Sequence, residues 1–251
     1  FGKDKELKMN VLILGHKGML GHMVLSFLKS KDINCHICDD RWPDPSFQES
    51  IIDYTGNFII NCIGAIPQRT DDFSINYKLP VLLDLLSHAE CKIIHPGSDC
   101  EGDNTAYGES KKIASNWIKS NSRKTKIIKT SIIGPELSSN HGLMEWFLSQ
   151  EKEVNGYSKC FWNGNTTLTW AKYSYEMINN WNSYGNETIL QSESISKFQL
   201  LKIIKEVYGK NITIKKNDGP IANRCLYGGI STQNIKSQLI ELKKEQEHGA
   251  N

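Results

Sequence analysis

The stretch MNVLILGHKGMLGHMVLSFL, residues 9–28, decides the fold. Its apolar run VLILG (11–15) reads as a buried strand. From Met19 to Lys29 the residues Leu20, Val24, Leu25 and Leu28 recur at helical spacing. Gly15, Gly18 and Gly21 fall at the join. A strand, a glycine-rich turn and a helix in direct succession is the context in which such glycines bind a dinucleotide. Gly15 permits the sharp turn, Gly18 lets a pyrophosphate approach the backbone, and Gly21 lets helix and strand pack closely. The helix start adds free N–H groups and the positive end of the helix dipole.

The same alternation continues downstream. INCHIC (33–38), FIINCIG (58–64), KIIHPGS (92–98) and KIIKTSIIG (126–134) read as strands, with helices expected near 46–54, 74–89 and 105–121. Continuous apolar strands separated by helices imply a parallel sheet covered on both faces. Right-handed crossovers then make it an α/β, doubly wound parallel (Rossmann) sheet. After residue 135 the rhythm loosens. Helices are expected over 142–150, 170–181 and 194–209, extended chain over 166–170 and 211–216, and a charged end, 236–251, that frays. The expected division is a dinucleotide-binding domain over 9–135 and a small C-terminal α/β substrate lobe over 136–240, with interleaving of the two left open.

A chain of 251 residues can bury one sizeable core. Thirty basic against 28 acidic residues leave it near neutral, which argues against a nucleic-acid binder. The basic cluster SRKTKIIK (122–129) reads as the solvated start of a strand. No apolar stretch approaches the ~20 residues needed to cross a bilayer, so no membrane partner is expected. No charged-then-apolar leader opens the sequence; the polar FGKDKELK (1–8) precedes Met9 and could be a remnant foreign to the protein. Seven cysteines, an odd number spread through apolar runs, read as reduced thiols of a cytoplasmic protein. In CHIC (35–38) the two cysteines would point to opposite faces of a strand, which favours buried thiols over a metal site. No metal is expected.

Three further segments carry candidate chemistry. In AYGESKK (106–112), Tyr107 and Lys111 stand four apart on a helix and share a face. Nine tyrosines give about one such pair by chance, but Tyr107 alone has a lysine four later. In HPGSDCEGD (95–103), Ser98 lies at the carboxyl end of the fourth strand, where doubly wound sheets bind ligands; a plain Ser-Asp turn is the alternative. SSNHGLMEWFLSQ (138–150) starts a helix near Gly142 whose N–H groups favour a pyrophosphate. There Asn140 and His141 are candidate ligand contacts, with N-capping an equal reading of Asn140; Trp146 and Phe147 read as core.

The three-and-three glycine spacing of GHKGMLG resembles the extended short-chain dehydrogenase/reductase family, and in particular its nucleotide-sugar reductases such as GDP-fucose synthase. Tyr107 falls where that family keeps its catalytic pair, and Ser98 is close to the spacing implied by dTDP-4-dehydrorhamnose reductases. Their signature, Ser/Thr then Asp then an aromatic, is met by Ser98 and Asp99 but not by Cys100, and their Phe-Asp-Gly ending is replaced by Gly102-Asp103-Asn104. NCIGAI (61–66), INYKLP (75–80) and TSIIGPEL (130–137) are similar to family segments, and NRCLYGGI (223–230) faintly so, with Cys225 in a proline position. The likeness covers about residues 9–150 well and the rest poorly.

The resemblance implies an NADPH-dependent reductase of a 4-keto-6-deoxy nucleotide sugar. Gly15, Lys17, Gly18, Met19, Leu20 and Gly21 would hold the dinucleotide, with Asp39 and Arg41 after the second strand. Cys62, Gly64 and Ala65 would lie beside its ribose, and Tyr107 and Lys111 at its nicotinamide end. Lys17 and Arg41 suit a 2′-phosphate, Asp39 and Asp40 a 2′-OH; the resemblance tips this to NADP, with NAD open. Tyr107 would be the general acid and Lys111 would lower its pKa. Ser98 would bind the carbonyl oxygen, and Asn140 and His141 the sugar nucleotide. Two alternatives stay open: a non-catalytic dinucleotide-binding regulatory subunit, like that of methionine adenosyltransferase, and an NAD-dependent nucleotide-sugar epimerase. A homodimer is a family expectation.

Overall fold

In the computed structural model, which describes residues 9–249, the first strand β1 (Asn10–Leu14) buries both of its faces. Val11 and Ile13 enter one apolar layer, Leu12 and Leu14 the other. Two interleaved apolar sets at period two are what a strand covered on both sides requires. There follow α1 (Met19–Ser30), β2 (Asn34–Ile37), α2 (Pro45–Ile52), β3 (Phe58–Asn61), α3 (Ile75–Leu86), β4 (Lys92–Gly97), α4 (Ala106–Asn121) and β5 (Thr125–Lys129). The second half comprises β6 (Ile132–Ile133), α5 (Leu143–Ser149), β7 (Glu153–Tyr157), β8 (Cys160–Trp162), β9 (Asn165–Thr166), α6 (Thr167–Asn179) and β10 (Glu187–Gln191). It closes with β11 (Ile195–Ser196), α7 (Lys197–Tyr208), β12 (Thr213–Asn217), β13 (Ala222–Asn223), β14 (Ile230–Ser231) and α8 (Ile235–Gly249).

The central sheet has seven parallel strands in the order β14-β10-β5-β4-β3-β1-β2. The expected doubly wound α/β sheet is present. Because β2 and β3 flank β1 on opposite sides, the winding reverses there and opens a crevice at the carboxyl ends of β1 and β3. Helices α1 and α6 cover one face, with Phe27 and Tyr175 edge to face at 6.2 Å. Phe47 and Ile51 of α2 and Leu79 and Leu83 of α3 cover the other. β10 and β14 rejoin this sheet beside β5, while β8, β11 and β13, β7 and β12, and β6 and β9 make small sheets outside it.

Several expectations change. TTLTW is helical from Thr167, because Thr166 accepts the Thr169 N–H as an N-cap and Leu168 and Trp170 are drawn into the core. The charged end does not fray up to residue 249: Ile235, Leu239 and Leu242 of α8 are fully buried. The fifth strand breaks after Lys129 into β5 and β6. Cys35 and Cys38 pack into opposite layers as expected of a strand, but half-buried rather than buried. Within the basic cluster Lys126 is buried, not solvated; its ammonium donates to the carbonyls of Trp181 and Tyr184, which hold it inside the fold. Residues 1–8 and 250–251 lie outside the described residues.

Candidate active site at the carboxyl edge of the sheet

The glycine turn is built as close approach demands. Gly15 holds φ at +74°, and a Cβ there would stand 2.9 Å from Ile63 Cγ1. A Cβ on Gly21 would lie 2.1 Å from the Gly15 carbonyl oxygen, which accepts the Gly18 N–H at 2.9 Å. Gly18 is the N-cap of α1 and places no side chain over its first turn. The N–H groups of Met19, Leu20 and Gly21 have no acceptor within the helix. Bare backbone with outward N–H groups fits the pyrophosphate of a dinucleotide.

On the β2 side, Lys17 Nζ donates to Asp39 Oδ1 at 2.6 Å and His16 Nε2 lies 3.5 Å from the same oxygen. Hydrogen bonding and charge from Lys17 hold the Asp39 carboxyl below its ordinary range. The cation and the acid that compete for a ribose in sequence thus neutralise each other, while Arg41 is exposed nearby. On the β3 side, Cys62 N–H donates to Leu14 O at 3.0 Å. Gly64 is exposed, and Ala65 is fastened at both backbone groups by Asn76, which accepts its N–H at 2.8 Å and donates to its carbonyl at 3.1 Å. Asn76 also donates to Ser110 Oγ at 3.0 Å, tying this loop to α4.

Ser98 directly follows β4 and caps a 3-10 turn, Asp99–Gly102; its hydroxyl accepts the Cys100 N–H at 3.1 Å. Thr105 caps α4 and sets Tyr107 in the first turn, with the Phe73 ring edge-on at 5.7 Å. A Cβ on residue 108 would stand 2.3 Å from Cys100 O, so α4 can press on the Ser98 turn only with Gly108 there. One turn later the buried Lys111 Nζ donates to Pro96 O at 3.0 Å. The fold thus brings Ser98, Tyr107 and Lys111 to one crevice wall.

Burial pushes the Lys111 ammonium down to about 8, with Glu101 and Cys100 acting against it. Burial pushes the Tyr107 phenol up to about 12, Cys100, Asp99 and Glu101 adding and the Ser98 hydroxyl opposing. The sequence expectation that Lys111 lowers this pKa is corrected: burial raises it first, Cys100, Asp99 and Glu101 add to that, and the neighbour that opposes them is the Ser98 hydroxyl, not Lys111. Tyr107 keeps its proton through the neutral range and can act as a donor.

The 138–150 segment also differs from expectation. The N-cap of α5 is Gly142, and Asn140 instead donates to Ser149 Oγ at 3.5 Å. The Gly142 N–H is taken by Glu136 Oε2 at 2.9 Å, so a carboxylate already fills the place expected for a pyrophosphate. Glu136 also accepts from Ser139 Oγ, which accepts from Arg69 Nη2 of the loop after β3 at 2.9 Å. His141 is exposed; Phe147 is fully buried, but Trp146 is 36% exposed rather than core. Sequence reasoning missed two residues. Arg224 pairs with Asp103 and donates to Cys100 Sγ at 2.9 Å, a long-range contact with no local signal. Glu101 accepts the Ser98 N–H at 2.8 Å, and the Ser-x-x-Glu spacing of a capping box would have found it.

No family model matches this sequence, and no curated protein does. Solved structures do share the fold. A dTDP-4-dehydrorhamnose reductase from Clostridium acetobutylicum aligns over 95% of this chain and 100% of its own, with TM-score 0.74 and 19% identity. One from Bacillus anthracis in complex with NADP aligns over 95% and 100%, with TM-score 0.72 and 15% identity. The UDP-glucose 4-epimerase of Thermotoga maritima with UDP-glucose aligns over 97% and 100%, with TM-score 0.73 and 14% identity.

Proposed function

We propose that this chain is an NADPH-dependent reductase acting at C4 of a 4-keto-6-deoxy nucleotide sugar. The observation that carries the reading is that the bare glycine turn follows the carboxyl end of β1 while Ser98, Tyr107 and the Pro96-anchored Lys111 gather at the carboxyl end of β4, on the same edge of one parallel sheet. Solved dTDP-4-dehydrorhamnose reductases of the same fold, one of them holding NADP, support the substrate class. Residues 9–135 would take the cofactor and segments of 136–240 the sugar nucleotide. Gly15, Gly18 and Gly21 would hold the pyrophosphate with the Met19 and Leu20 N–H groups. Lys17 and Arg41 would meet the 2′-phosphate, and Cys62, Gly64 and Ala65 would line the ribose. Asn140 and His141 would touch the sugar rather than the phosphates, which the Glu136 carboxylate repels.

A bound reduced nicotinamide would supply the hydride. Tyr107 holds a proton at its phenol oxygen and gives it to the carbonyl oxygen as that becomes an alkoxide. Ser98, its lone pair engaged by the Cys100 N–H, donates its O–H to Asp99 Oδ1 over a long 3.4 Å in the free protein and would turn it toward the same oxygen when the sugar binds, fixing its place. Lys111, anchored on Pro96 O, sets a cation in a wall of low polarity, where it favours the developing negative charge. The test is to mix the protein with NADPH and a panel of 4-keto-6-deoxy nucleotide sugars and follow the loss of reduced nicotinamide. Consumption supports the reductase. Tight NADPH binding with no consumption indicates a non-catalytic binding protein, and sugar interconversion with retained NAD indicates an epimerase.

A further inference from the structure

Glu101 is only 7% exposed and carries both of its carboxylate oxygens into the site's framework. Oε1 accepts the Ser98 N–H at 2.8 Å, and Oε2 accepts Lys129 Nζ at 2.7 Å. Lys129 Nζ lies 4.0 Å from Glu187 Oε1, which Lys119 of α4 reaches at 3.2 Å. Charges of alternating sign thus run from the surface of α4 through β10 and β5 to the Ser98 turn. Room is kept for the carboxylate: a Cβ on Gly97 would stand 3.1 Å from Glu101 Oε1 and 2.9 Å from Ile127 Cγ2.

Capping alone does not call for a charge here. At the start of α7, Ser196 and Gln199 make the same reciprocal box, the neutral amide oxygen accepting the Ser196 N–H at 2.8 Å. A buried carboxylate is costly to desolvate, so its use in place of an amide points to a charged partner. Lys129 is one. Lys111 is the other: its Nζ is anchored on Pro96 O, and Glu101 Oε1 sits on the Ser98 N–H two residues further along the same chain, so the carboxylate charge lies beside the ammonium and favours its proton against burial. Around Lys111 stand Glu101 and Cys100 of the turn, Tyr107 on its own helix and His95 on β4, whose ring burial and the Lys111 charge keep neutral. Lys129 on β5 and Asp99 and Arg224 near Cys100 complete the charged surroundings.

We propose that Glu101 is a positioning residue, which fixes Ser98 through its backbone N–H and holds Lys111 as a cation through its own charge. The catalytic consequence rests on the reductase reading; the test does not. Glu101→Gln keeps an acceptor for the Ser98 N–H and removes the charge. In protein labelled with 13C-lysine, free of cofactor and substrate, the Cε shift of Lys111 is followed against pH, assigned with Lys111→Arg. The titration midpoint is expected to fall by roughly one pH unit, a tenfold loss of proton affinity. An unchanged or raised midpoint in folded Glu101→Gln protein overturns the proposal. If that variant does not fold, Lys129→Met is measured. With the competing cation gone, the Lys111 midpoint is expected to rise, and an unchanged or lower one overturns the proposal. A protein inactive on every sugar would defeat the reductase reading and leave this titration intact.

Discussion

Replacing Lys111 by Met should change how the stability of this protein depends on pH. In the unfolded chain the ammonium titrates near its ordinary 10.5, whereas in the fold burial brings it down to about 8. Below about pH 8 both states hold the proton, and the fold bears the cost of keeping a cation out of water. Above it the fold sheds the proton while the unfolded chain retains it. The unfolded state then binds more protons, so this group's contribution to stability rises with pH. At ~1.4 kcal/mol per pH unit, the unfolding free energy of the parent should gain about 2 kcal/mol on that of Lys111→Met between about pH 7 and 9.5. Methionine has a similar unbranched reach and does not titrate, so ionisations shared by both proteins cancel in the difference. The assay is urea unfolding of both proteins at steps across that range, with slopes compared to confirm two-state behaviour. A free-energy difference that stays flat would refute the burial of Lys111 as a cation.

Gly21→Ala should lose dinucleotide binding and about 1–3 kcal/mol of stability, despite alanine's better helix propensity, because the new Cβ meets the Gly15 carbonyl 2.1 Å away. Thermal melts and NADPH fluorescence check it; a variant as stable as the parent with unchanged affinity would contradict the close packing. Lys17→Ala should leave the melting temperature unchanged, since the exposed pair with Asp39 contributes little to folding. It should lower the preference for NADPH over NADH by about tenfold, one lost charge-assisted contact; an unchanged ratio of dissociation constants would remove Lys17 from the 2′-phosphate.

What was legible in the sequence was local. β1, the glycine turn and α1 follow one another without a gap, so periodicity places them; Tyr107 and Lys111 lie one turn apart on a single helix, and the family resemblance singles that pair out. The start of α6 was hidden because a threonine-rich run reads as extended, until Thr166 caps the helix and the core claims Leu168 and Trp170. In α8 the helical spacing of Ile235, Leu239 and Leu242 was outweighed by the surrounding charge. The Glu101–Lys129 and Arg224–Asp103 pairs join residues on different elements, and no spacing rule sees them. The partner of the Gly142 N–H was hidden for a similar reason: Glu136 folds back onto the helix start from outside the helix.

The most direct measurement is the turnover of Tyr107→Phe with NADPH and whichever keto sugar the parent consumes, alongside its NADPH affinity. The ring and its contact with Phe73 are kept, and only the phenol proton is lost. The expected result is an unchanged dissociation constant for NADPH with turnover reduced by about 10²–10⁴-fold, the usual span for a general acid. Undiminished turnover at the same affinity would contradict the assignment of the crevice as a ketoreductase site.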